Sequence, residues 1–97
     1  MDSIQKRFAL YFESAIDVTK SRLDTYRDTD PLTEQRLMRL KTILETQRLE
    51  VLRGEVTKYV GLYGPLKLVL NWGEPANSNL IDALNGIEEF FKANYSS

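Results

Sequence analysis

Histidine and cysteine are both absent from the 97-residue chain. Without cysteine there is no disulfide, no thiolate nucleophile and no Cys-ligated metal. Without histidine the chain lacks the commonest general base, the commonest transition-metal ligand and the usual pH switch. Ser-His-Asp and Cys-His catalysis are excluded outright, and so is a di-iron bundle site, which needs Glu-x-x-His pairs. An enzyme built on this chain would have to work with carboxylates, lysine or tyrosine. No catalytic arrangement of these stands out, so the sequence reads as non-enzymatic, with no cofactor and no metal.

An excess of one charge is missing too. Thirteen basic residues face 14 acidic ones, a net charge of −1. Nucleic acid is normally met by a clustered basic face, so a nucleic-acid-associated regulator is the alternative and not the leading reading. No uninterrupted apolar run approaches the roughly 20 residues that a membrane-spanning helix needs. The N-terminal MDSIQKRFALYF opens acidic and has no apolar core of signal-peptide length. A cytoplasmic location without membrane contact is the default expectation.

What remains is an ordinary globular composition, 42% hydrophobic and 28% charged, of a length that suits one domain. Proline and glycine are scarce, 3 and 5 residues, which leaves long stretches without a breaker. Residues 3–27 carry Ile4, Phe8, Tyr11, Phe12, Ala15, Ile16, Val18, Leu23 and Tyr26 at the spacings of one buried helical face. Asp28-Thr29-Asp30-Pro31 then interrupts. Asp30 is a good N-cap for a second helix, with Pro31 at the first helical position and Thr33 as a rival cap. So short a connection folds two helices back as an antiparallel hairpin.

The second helix is expected over 32–60, with the stripe Leu37, Leu40, Ile43, Leu44, Val51, Leu52, Val56, Tyr59 and Val60 and with Gln47 in its middle. Gly54 interrupts it at a cost of about 1 kcal/mol relative to alanine, and marks a bend or a close crossing. A helix of that length spans roughly 44 Å at 1.5 Å per residue, against a domain diameter in the mid-30s of Å, roughly, for a radius of gyration near 13 Å. Either it bends near Gly54, or the hairpin projects beyond its own core and a second copy covers it. A homodimer is therefore expected.

Tyr59–Trp72, YVGLYGPLKLVLNW, is the most apolar stretch and holds the only tryptophan. Gly64-Pro65 opening and Gly73 closing give a short helix over 65–72. The alternation of Leu66, Leu68, Leu70 and Trp72 gives instead a strand. A lone strand leaves its backbone groups unpaired and would need a partner, and no other segment alternates; the helix is preferred. After a loop over 73–78, Asn79 is the expected cap of a last helix, 79–94, with Asp82 completing a weak capping box.

Asp28-Thr29-Asp30 has the Asp-x-Asp start of a calcium loop, but Thr33 and Arg39 stand where glycine and glutamate are required; it is better read as a cap and a turn. Glu13 with Asp17, and Glu88 with Glu89, read as surface carboxylates. The fold expected is all-α, a long antiparallel helical hairpin with one short and one medium C-terminal helix in a small bundle. The function expected is a protein-interaction module, a small regulator, adaptor or inhibitor of another protein. Tyr59, Tyr63, Leu66 and Trp72 are its candidate apolar anchors, with Arg36 and Arg39 setting register and on-rate.

Overall fold

Two aspartates, Asp28 and Asp30, lie at the break between the first two helices. The computed structural model describes residues 3–26, 28–55, 64–75 and 77–95. Helix α1 covers Ser3–Tyr26 and α2 covers Pro31–Leu52. Between them Asp28 takes a left-handed φ of 66°, a conformation that a short polar side chain tolerates. The Thr29 and Asp30 backbone N–H groups donate back to the Tyr26 carbonyl. Asp30 then caps α2: one oxygen accepts from the Thr33 backbone N–H at 3.3 Å and the other from the Thr33 hydroxyl at 2.7 Å. Thr33 is therefore no rival cap but a donor to the real one. The same two donors hold the Asp30 carboxyl below the usual aspartate range, the charge of Arg36 adding a smaller pull.

The second helix is shorter than its apolar stripe implies. It ends at Leu52. Gly54 has φ 73° and donates to the Val51 carbonyl, while Glu55 donates to the Glu50 carbonyl. This pair of bonds around a left-handed glycine is a Schellman stop. Gly54 thus terminates α2 and does not bend a longer helix. The expected continuation through Val56, Tyr59 and Val60 lies outside the described residues. Gln5 of α1 adds to the stop, its amide donating to the Val51 and Leu52 carbonyls, at 2.6 and 3.0 Å, so α1 supplies donors to the last turn of α2.

Helix α3, Gly64–Asn71, and helix α4, Asn79–Asn94, complete an all-α fold with no strand among the described residues. The period-two alternation after Pro65 is therefore overridden: Val69 is buried while Leu70 is exposed. The cap of α4 is Ser78, whose hydroxyl accepts from the Ile81 backbone N–H at 3.1 Å. Asn79, expected to cap, is the first helical residue, and its side chain accepts from Arg22.

Helix α1 packs against α2 on one side and α4 on the other, while α3 bridges α2 and α4 across the core. Along the hairpin the buried positions are Phe8, Ala9, Phe12, Ala15, Ile16 and Thr19 on α1, and Leu37, Leu40, Leu44, Gln47 and Val51 on α2. The three- and four-residue steps of α2 are those of a single seam, while the wider stripe of α1 serves both α2 and α4. Thr19 tolerates burial by donating its hydroxyl to the Ala15 carbonyl at 2.7 Å. Helix α4 contributes Leu80, Leu84, Ile87 and Phe91, and α3 contributes Val69. Removing each such side chain from water contributes about 1.5–3 kcal/mol.

The radius of gyration is 13.3 Å and the longest dimension 41 Å. Because α2 stops at Leu52, it does not project as a 29-residue helix would. The ground for expecting a second copy over an overhanging hairpin is thereby removed. No helix among the described residues is long and apolar enough to cross a membrane.

Candidate functional site

Four of the six residues singled out as partner-binding fall within the described chain, and the fold separates them. Leu66 is half-buried and packs against the core. Arg39 is exposed on α2. Arg36 of α2 and Trp72, just past the end of α3, line the same hollow. Tyr59 and Tyr63 lie outside the described residues.

Arg36 and Trp72 line a notch of about 150 Å³ with Arg22, Tyr26, Thr33, Leu37 and Glu74. Its geometry follows from the two ends that meet there. Tyr26 is the last residue of α1, and Thr33, Arg36 and Leu37 occupy the first two turns of α2. Trp72 and Glu74 follow the end of α3, where Trp72 and Gly73 donate to the Val69 and Leu70 carbonyls and Gly73 takes φ 81°. The chain turn at Gly73 swings Glu74 toward α1, where its carboxylate meets the Arg22 guanidinium at 2.8 Å. A second nitrogen of Arg22 donates to the Asn79 side chain at 3.1 Å. Arg22 therefore ties the loop after α3 and the start of α4 onto α1.

The floor of the notch is Leu37, which is buried, and one wall is Trp72, half-buried with its packing side on the core. Tyr26 stands at the rim, exposed. Both tyrosines of α1 were expected on the buried face, and both are exposed. Tyr11 instead leans across Gly86, where an added Cβ would lie 3.1 Å from its ring. The periodicity is right to within a third of a turn, but a phenol at the edge of the stripe keeps its hydroxyl in water.

Electrostatically the notch is asymmetric. Glu74 offsets Arg22 at contact distance. Among the described residues Arg36 forms no hydrogen bond and no ion pair. The Thr33 hydroxyl, which with a carboxylate beside it resembles an activated nucleophile, donates to Asp30 and is consumed by the cap.

Larger hollows lie elsewhere. A furrow of about 480 Å³ runs between α1 and α2, lined by Lys20, Leu23, Asp24, Glu34, Met38, Lys41 and Thr42. Its continuation, about 430 Å³, is crossed by a Glu13–Arg48 ion pair at 2.7 Å. Glu13 is thus half of a bridge across the hairpin and not half of an acid pair with Asp17. The furrow is lined by charges of both signs and its continuation is spanned by an ion pair, whereas the notch gathers tryptophan, tyrosine and arginine, the residue types that dominate interface hot spots. Composition favours the notch although volume does not. Among the described residues no group of three or more acidic side chains is placed to hold a metal ion.

Sequence reasoning missed Arg22, Tyr26 and Glu74 as members of this site. The burial pattern carried a trace of Tyr26 at the end of its stripe, but nothing local marks Arg22 or Glu74, whose pairing depends on the turn at Gly73. No protein-family model, curated protein or solved structure matches the chain. The site is therefore read on its own geometry.

Proposed function

We propose that the chain is a non-enzymatic protein-interaction module, a small regulator, adaptor or inhibitor that docks another protein at the Trp72–Arg36 notch. The observation that supports this reading is the half-buried Arg36, without a hydrogen bond or ion pair among the described residues, in the notch lined by Trp72 and Tyr26. Aromatic walls offer apolar area at low entropic cost, and an arginine without an internal partner offers a directional anchor. The notch is too small for a cofactor or substrate of ordinary size, since such pockets run to about 300–1,000 Å³; it suits one or two side chains of a partner. The chain's lack of histidine and cysteine and the use of Thr33 in capping agree with a binding role. The homodimer expected from the length of the second helix is not carried into this proposal, since that length is not found.

Affinity capture from an extract of the source organism, with the wild-type chain and with Arg36→Glu, tests the reading. A protein retained by the wild type and lost with the charge-reversed variant, while both fold alike by circular dichroism, is the expected result. No captured protein, or one retained equally by both, counts against docking at this notch. A duplex DNA of generic sequence serves as the control for the nucleic-acid alternative, which requires binding that weakens steeply with salt.

A further inference from the structure

The proposed docking role leaves the chemistry of the partner open, and the notch narrows it. Its charges can be apportioned residue by residue. Arg22 is compensated, because Glu74 lies 2.8 Å away and Asn79 takes a second of its N–H groups. Asp30 is committed to Thr33 through two hydrogen bonds, and feels Arg36 as a weaker, more distant influence. Among the charged residues at the notch, Arg36 has a guanidinium with no hydrogen bond or ion pair among the described residues, although it is half-buried where Leu37 and Trp72 also line the hollow. Partial burial makes that lack costly: a charged donor removed from part of its water regains the loss only when an acceptor arrives.

Resting on the docking reading, the geometry points to an acidic side chain as the group this notch receives. An aspartate or glutamate of the partner places its carboxylate on Arg36, and an adjoining apolar side chain of the partner lies on Trp72. Two features of the site select a carboxylate over a phosphate group. First, of the charged residues that line the notch, Arg36 is the one with no hydrogen bond or ion pair among the described residues, which suits a monoanion; a phosphate brings about −1.5 to −2 charges and would be opposed by the Glu74 carboxylate in the lining. Second, a planar guanidinium and a planar carboxylate form two parallel hydrogen bonds, which a notch of about 150 Å³ can admit beside an apolar group. The same charge count argues against nucleic acid, whose phosphates are met by several free cations at once.

Trp72 is the only tryptophan, so its indole N–H gives a single nuclear magnetic resonance signal inside the notch. The full chain is titrated with acetyl-Glu-Leu-amide, acetyl-Gln-Leu-amide and inorganic phosphate. The Trp72 indole and Arg36 Nε–H signals are expected to shift saturably with the glutamate peptide. The glutamine peptide should bind roughly tenfold more weakly, the worth of one charge-assisted hydrogen-bonded contact, and phosphate more weakly still. Arg36→Gln should keep the Trp72 signal at its folded position and abolish the response, Arg36→Lys should recover part of it, and Arg39→Gln should leave it intact. Equal shifts from the two peptides, a stronger response to phosphate, no response to the glutamate peptide, or a full response in Arg36→Gln would each overturn the proposal. If these signals fail while capture remains sensitive to Arg36→Glu, the acidic occupant is rejected and the docking role stands; loss of both rejects the notch.

Discussion

The two ends of α1 use the same residue types to opposite effect. At its N-terminal end Phe8 lies at the centre of an aromatic cluster, with ring centroids of Phe12, Phe90, Phe91 and Tyr95 at 5.1, 5.2, 6.4 and 5.1 Å. The Arg7 guanidinium caps this cluster, 5.6 Å from the Phe90 ring centroid. At the C-terminal end, Tyr26 and Trp72 line a notch with Arg36, which forms no hydrogen bond or ion pair among the described residues. One end is sealed and the other open. The same residue types thus close a core at one end and line a hollow at the other.

Replacing the aromatic anchor of each end should separate them most widely. Phe8→Ala is expected to cost about 3–5 kcal/mol, as for a fully buried phenylalanine whose site cannot collapse. Trp72→Ala, at a half-buried wall, should cost roughly 1–3 kcal/mol. Urea unfolding of both variants measures the difference; equal losses would mean that the open end is as much core as the sealed one.

The terminators of α2 sit at opposite ends and give the next effect. Gly54, near Gln5 at the sealed end, holds a left-handed conformation that costs a residue with a Cβ about 1–2 kcal/mol, so Gly54→Ala should lower stability by that amount. Asp30, at the open end, should show pH dependence instead. Its folded-state pKa lies below the unfolded one, so its contribution is complete at neutral pH, starts to fade as pH falls toward about 4, and is lost below the folded value. Thermal melts of wild type and Asp30→Ala should therefore differ by a few degrees at neutral pH and converge in acid. A gap that persists well below the carboxylate range would show that the Asp30 charge is not what holds the cap.

The smallest expected effect distinguishes the two arginines. Arg7→Gln removes a cation–π contact and should cost about 0.5–1 kcal/mol. Arg36→Gln removes no hydrogen bond or ion pair found among the described residues and should change stability by less than about 0.5 kcal/mol, while abolishing the peptide response of Trp72. Denaturant midpoints of the two variants, measured side by side, check this. A clear loss of stability in Arg36→Gln would assign that side chain to the fold.

Much of the fold was legible. The break at Asp28–Pro31, the Asp30 cap, the buried Gln47 amid its leucines and the short helix after Gly64-Pro65 all rest on interactions within a few residues. Gly54 was legible as an exception but not as an end, because the apolar period continues past it, and periodicity alone does not distinguish a kink from a stop. The cap of α4 was displaced by one residue for a similar reason: Ser78 and Asn79 are both good caps, and Arg22 engages Asn79. The candidate site was legible only in Arg36 and Trp72, and their meeting was not.

The sequence by itself determined the helical architecture, most of the helix limits and the list of excluded chemistries, since capping, helical period and functional-group inventory are local or compositional properties. Only the tertiary structure decided how each arginine is used. Arg7 reaches Phe90 and Arg48 reaches Glu13 across helix–helix boundaries, Arg22 reaches Glu74 in the loop after α3, and Arg36 forms no hydrogen bond or ion pair among the described residues. Such pairings depend on distances between groups far apart in the chain, which are set when the helices pack and not before.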